Sequence, residues 1–78
     1  MQYYVVMIRY ARRYTDRGTL IPSADEAVVD PDISRREVIS RVRSGEYKNI
    51  RWIHEIRDGY VRDVTDEIQS EAEMESAA

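Results

Sequence analysis

Apolar residues crowd the first ten positions of the chain. Tyr3, Val5 and Met7 alternate with Tyr4, Val6, Ile8 and Tyr10. Both faces of an extended segment over residues 2–10 are therefore apolar, which predicts a central strand covered on at least one side. Polar residues follow, and Thr15-Asp16-Arg17-Gly18 has the chemistry of a turn. Thr19-Leu20-Ile21 reads as a short returning strand stopped by Pro22. Residues 23–32 show no settled period. Ser23-Ala24-Asp25-Glu26 suits a helix cap and residues 26–30 suit a short strand, so the segment is read as mostly loop.

A helix over residues 35–44 carries the strongest local signals. Ser34-Arg35-Arg36-Glu37 is a capping box, in which the serine hydroxyl takes the amide of residue 37 and the glutamate reaches back to Ser34. Ile33 before the cap and Val38 after it can form a hydrophobic staple. Val38, Ile39 and Val42 make one buried stripe, Glu37 stands four residues before Arg41, and Gly45 is the left-handed terminator.

Residues 48–65 predict a hairpin turning at Asp58-Gly59, read as type I′. In that register Arg57 faces Tyr60, Ile56 faces Val61, Glu55 faces Arg62, His54 faces Asp63 and Ile53 faces Val64. One face carries Ile50, Trp52, His54, Ile56 and Val61, and this face is expected to pack on the helix with Trp52 as its anchor. The other carries Arg51, Ile53, Glu55, Arg57, Tyr60 and Arg62, with Glu55 and Arg62 as a cross-strand pair, and is expected to be wet. Residues 65–75 read as a second helix, capped by Thr65 or Asp66, with a thin stripe of Ile68 and Ala72; residues 75–78 are expected to be disordered. The predicted order is strand, helix, strand, strand, helix, in an α+β sandwich with an antiparallel or mixed sheet. A right-handed crossover through the first helix would set the first strand and residues 48–57 in one sheet if they run parallel.

Seventy-eight residues allow one small domain, 1–78. Such a domain buries only roughly 60% of the surface of its unfolded chain, so its stability margin is thin. The absence of cysteine excludes disulfides and thiolate metal sites, and one histidine leaves no classical zinc set. The longest uncharged run, residues 1–8, is far short of the ~20 residues of a membrane helix. No signal peptide opens the chain, and a cytoplasmic location is expected. Charge is banded: +3 over residues 1–22, −4 over 23–34, +4 over 35–62 and −6 over 63–78, for a total of −3. All basic residues but Lys48 are arginine, the residue suited to bidentate contacts, although a GC-rich coding sequence gives the same bias.

No constellation in the chain demands catalysis. His54 opposite Asp63 is the one pair with a catalytic look, and it lacks a nucleophile elbow and an oxyanion hole. A structural hydrogen bond is the reading adopted, and the protein is expected to be no enzyme. The three glycines are isolated turn residues that make no phosphate cradle. Asp25, Glu26, Asp30 and Asp32 do not follow the calcium-loop spacing and read as a solvated acidic loop. No metal or cofactor is implied. Two surfaces remain as partner-binding candidates. Tyr10, Arg12, Arg13 and Tyr14 interleave aromatics with bases at a strand end, a pattern that can stack bases and neutralise phosphate, or simply pair with nearby acids. Asp63, Asp66, Glu67 and Glu71 form an acidic surface that can dock on a basic partner, mimic a phosphate ladder, or stay solvated.

A chain under a hundred residues, cysteine-free, α+β, without an enzyme motif and banded in charge resembles the small anti-CRISPR proteins that phages and mobile elements encode. The likeness is one of type and covers the whole chain, and no residue motif carries it. It implies a non-enzymatic inhibitor that docks stoichiometrically on a nucleic-acid-handling defence complex in the host cytoplasm and occludes it. The alternative expectation is a small module that binds nucleic acid directly. No membrane partner is expected, and the oligomeric state is left open.

Overall fold

In a computed structural model, which describes residues 2–10 and 12–77 (of 75–77 the backbone alone), the first strand, β1, spans Gln2–Tyr10. Two short strands, β2 (Arg13–Tyr14) and β3 (Leu20–Ile21), pair only with each other across the turn at Gly18. They are followed by β4 (Ala24–Asp30), helix α1 (Arg35–Ser44), β5 (Ile50–Arg57), β6 (Tyr60–Asp63) and helix α2 (Thr65–Ala77). This is a small α+β domain whose main sheet has four strands in the order β4-β1-β5-β6.

Every neighbouring pair in that sheet is antiparallel. β1 and β5 therefore do not form the parallel pair considered above. The crossover through α1 instead joins β4 to β5, which run parallel to each other with β1 between them. The region read as loop and acidic loop is largely β4, a seven-residue strand paired with β1 from Tyr4↔Asp30 to Tyr10↔Ala24. Asp25, Glu26 and Asp30 weaken its intrinsic strand preference. They are tolerable because β4 lies on the edge, where charged side chains also discourage pairing with other chains. Of the four strands of the main sheet the predicted order accordingly lacked one, β4.

α1 matches its expected bounds, and its cap, terminator and ion pair form as expected, but only half of the capping box does: among the described residues the Glu37 carboxylate turns to Arg41 rather than back to the Ser34 amide. Ser34 accepts the amide of Glu37 at 3.2 Å, and Gly45 closes the helix in the left-handed region at φ 81°. Ile33 and Val38 are both buried and supply the staple. The Glu37 carboxylate is 3.7 Å from Arg41. Ser34→Ala is expected to lower stability by ~1 kcal/mol, read as a shift of the denaturant midpoint at unchanged slope. The β5–β6 register is the one predicted, from His54↔Asp63 to Arg57↔Tyr60. The turn is not type I′, however: Gly59 takes φ 82° while Asp58 keeps a negative φ, and type I′ requires positive values at both.

The face assignment is reversed. Tyr4, Val6 and Ile53 point to the helices and join Ile33, Val38, Ile39, Tyr47, Val64, Ile68 and Ala72 in the core. Trp52 is half-buried on the opposite face and is not the core anchor. The pairing of β1 with β5 shifts between Met7 and Ile8, where Met7↔Trp52 is followed by Ile8↔Ile50. Arg51 is the extra residue of this bulge, so Ile50 changes sides and packs on the core while Trp52 does not. Glu55, assigned to the wet face, is 3% exposed. Its burial is tolerated because Tyr4 Oη donates to its carboxylate at 3.1 Å and Arg62 lies 3.7 Å away.

α2 extends beyond its predicted end, to Ala77. Ile68, Ala72 and Val64 seat it on the core, whereas Met74 is exposed. The expectation of a disordered tail at 75–78 falls on residues whose side chains, and for Ala78 the backbone as well, lie outside the described residues.

Candidate binding surfaces

The acidic candidates are held by the domain's own framework. Arg35, at the start of α1, donates to Glu67 at 3.0 Å and to Glu71 at 2.7 Å, tying the two helices together. Glu67 also lies 3.6 Å from Arg62. The hydrogen bond to Glu71 holds the Arg35 guanidinium firmly in its charged form. Asp63 is engaged at the α2 entrance: its Oδ1 accepts the Thr65 amide at 2.9 Å and the Thr65 hydroxyl at 2.6 Å. The cap therefore comes from Asp63, not from Thr65 or Asp66. The Thr65 hydroxyl oxygen in turn accepts the Ile53 amide at 2.7 Å, which locks the helix entrance to β5. Asp66 is exposed in the first turn of α2.

His54 and Asp63 face each other in the predicted register, but the expected hydrogen bond does not form: His54 Nε2 stands 3.9 Å from Asp63 Oδ2, and the Asp63 carboxylate is engaged by Thr65 instead. The ring of His54 stacks on Trp52 with centroids 3.8 Å apart. The hydrogen bonds from Thr65 depress the Asp63 pKa below the usual carboxylate value. A lowered folded-state value means that the charged cap stabilises above the unfolded pKa and that this contribution disappears as pH falls through the folded one. Asp63→Asn should therefore lower the thermal midpoint at neutral pH. Thermal scans in strong acid should show the gap between variant and wild type closing.

The basic candidates lie apart from the core. From Arg12 to Leu20 every described residue is exposed, with Tyr14 at 71%. Together with β2 and β3 they form a hairpin arm continuing the β1–β4 pair. The molecule measures 43 × 35 × 19 Å with a radius of gyration of 14.5 Å, against roughly 11.5 Å for a compact chain of this length. The Thr15 amide donates to the Thr19 carbonyl at 2.9 Å and the Gly18 amide to the Thr15 carbonyl at 2.9 Å, so the arm has a defined tip. Arg13 lies over the Tyr10 ring at 5.7 Å. Among the described residues Arg12, Arg13 and Arg17 form no ion pair, whereas Arg9 faces Asp25 at 3.9 Å. Arg12, Arg13 and Tyr14 thus share one projecting element, with Tyr10 at its base as the last residue of β1.

At the base of the arm Arg9, Tyr10, Ser23, Asn49, Ile50 and Arg51 line an open cavity of about 410 Å³. Asn49 has φ 55° there, and its carbonyl accepts the Arg9 amide at 3.0 Å. Arg51 was missed because the alternation rule placed it as an ordinary wet-face residue. The alternation of residues 50–57 gave no hint of it, because Ile50 keeps step with Trp52, His54 and Ile56 in the sequence. Among the described residues no group of His, Asp or Glu side chains is arranged to hold a metal ion, and no helix is long and apolar enough to cross a membrane. No family model, no curated protein and no solved structure matches the chain.

Proposed function

We propose that the protein is a non-enzymatic binding module that grips nucleic acid with its basic hairpin arm and acts as a stoichiometric inhibitor, occluding the strand carried by a nucleic-acid-handling complex of the CRISPR type. One observation carries the binding: a projecting hairpin that presents Arg12, Arg13 and Arg17 with no ion partner among the described residues, beside exposed Tyr14. Unpaired guanidinium groups release counterions from phosphate when they bind, and tyrosine rings stack bases of any identity. The net charge of −3 does not oppose this reading, because the negative charge is concentrated on α2, where Glu67 and Glu71 are already matched by Arg35. The same matching favours the arm over the acidic surface as the contact. The occluding role follows from the resemblance in type to small anti-CRISPR inhibitors.

Anisotropy titration of labelled single-stranded DNA and RNA over a range of salt tests the binding. Three phosphate contacts predict a log–log salt slope near −2 on a single strand. Arg12→Glu with Arg13→Glu reverses two of the three charges and is expected to abolish binding while the fold is retained. An unchanged affinity in that folded variant, or no binding by the wild type at low salt, refutes the arm as the site. Adding the protein to a nucleic-acid-loaded defence complex then tests the inhibition, which should saturate at a fixed ratio of protein to complex.

A further inference from the structure

The open cavity at the base of the arm lies where the end of β1 meets the starts of β4 and β5. Tyr10 closes β1, Ser23 precedes β4 and Asn49 precedes β5. Its volume of about 410 Å³ falls within the roughly 300–1,000 Å³ of small-ligand sites. The lining combines the guanidinium groups of Arg9 and Arg51, the Tyr10 ring, the Ser23 hydroxyl and the Asn49 amide, with no carboxylate among the described residues. Asp25 is the acid nearest to this set; it approaches Arg9 at 3.9 Å, and both side chains are about half exposed. Arg51 forms no ion pair among the described residues. Two backbone features set the wall. The bulge takes Arg51 out of the regular ladder, and bulges beside binding sites serve to re-aim a side chain. Asn49 holds φ 55°, and its carbonyl accepts the Arg9 amide at 3.0 Å, so the two arginines are carried by strands tied to each other. The Tyr10 ring belongs to the arm as well as to the cavity, because Arg13 lies over it at 5.7 Å.

We infer that this cavity is a subsite for one nucleotide of the bound strand, with the phosphate between Arg9 and Arg51 and the base against the Tyr10 ring. The choice of a nucleotide as occupant rests on the reading of the arm as a grip for nucleic acid. The lining supports it on its own chemistry. A small anion would use the two guanidinium groups and leave the ring idle, and an uncharged flat molecule would leave the guanidinium groups idle. A phosphorylated, flat ligand engages both, displacing Asp25 from Arg9 as it enters. Ser23 and Asn49 bring donors and acceptors for the sugar or the base edge. The arm itself is exposed on every side and holds a strand by charge and stacking alone. The cavity adds a walled position next to Arg13. A free nucleoside monophosphate shares this chemistry with one unit of a strand, and the two are separable by experiment.

The full chain, labelled with nitrogen-15, is titrated in turn with a nucleoside 5′-monophosphate, the parent nucleoside, inorganic phosphate and a short single-stranded oligonucleotide. Amide shifts at Arg9, Tyr10, Asn49 and Arg51 report the cavity, and those from Arg12 to Thr19 report the arm. The monophosphate is expected to bind roughly ten-fold tighter than either the nucleoside or phosphate, the scale of one base stacked on one ring. The oligonucleotide should move both sets of amides. Arg51→Gln, at an exposed position, should weaken the monophosphate about ten-fold, and Arg12→Glu with Arg13→Glu should leave it bound in the cavity after the strand is lost. Oligonucleotide shifts confined to the arm overturn the inference and leave the arm standing. Shifts nowhere with the oligonucleotide refute the arm and the subsite together. A monophosphate that binds no tighter than phosphate, or binds Arg51→Gln at wild-type affinity, overturns the subsite. So does a cavity that takes the monophosphate while a strand bound to the arm leaves it unmoved, since it then serves a free nucleotide.

Discussion

Ile53→Ala is expected to remove about 2–5 kcal/mol of stability, a large fraction of a total of order 5–10 kcal/mol. Ile53 is fully buried at the crossing of the sheet with both helices, and its backbone is tied to the start of α2 through the Val64 amide and the Thr65 hydroxyl. Removing its side chain leaves a cavity bordered by elements that cannot close on it independently. The neighbouring substitution Trp52→Ala removes a larger side chain but opens no void in that core, because Trp52 lies on the face of the sheet away from the helices. Urea titration of the two variants should rank Ile53→Ala as the more damaging. The reverse ranking would show the helices on the other side of the sheet.

Tyr4→Phe is the second large effect. Tyr4 is 2% exposed and its hydroxyl donates to Glu55, itself 3% exposed. Burial also raises the Tyr4 pKa, which keeps the hydroxyl a donor through the neutral range. Phenylalanine fills nearly the same volume but leaves a buried carboxylate short of one donor, at an expected cost of about 1–3 kcal/mol. Converting Glu55 to Gln in the same background removes the charge that lacked its donor and should recover part of the loss. If the double variant is no more stable than Tyr4→Phe alone, the hydroxyl acts through packing and not through Glu55.

These two residues also show why the fold was only partly legible. α1 was, because Ser34, Glu37 and Gly45 act locally and need no tertiary context. The β5–β6 register was as well, because the position of Gly59 dictates it. The face was not. Counting apolar side chains favours the side with Trp52, Ile56 and Val61, and two long-range facts override the count. The bulge at Arg51 moves Ile50 across the sheet, and Glu55 is made tolerable indoors by a tyrosine 51 positions earlier. β4 was missed because its carboxylates mask a strand that β1 recruits by pairing. Of the candidate surfaces, the basic-aromatic run was visible as composition, but its projection as an arm depends on β2 and β3 pairing away from the main sheet. The engagement of Glu67 and Glu71 by Arg35 could not be foreseen from residues more than thirty positions apart.

The central place of β1 has a kinetic consequence. The first strand in the chain is also the most apolar, and its two neighbours complete at Asp30 and Arg57. A chain growing from its amino end can form the β1–β4 hairpin early. That hairpin has two greasy faces and no cover until β5 and both helices exist. Final assembly then waits on loop closure over some fifty residues, the kind of non-local step that slows two-state folding toward the millisecond-to-second range. During that interval the acidic edge of β4 is what keeps half-made sheets from adding to one another, so neutralising Asp25, Glu26 and Asp30 should lower the yield of refolding more than it alters the finished fold.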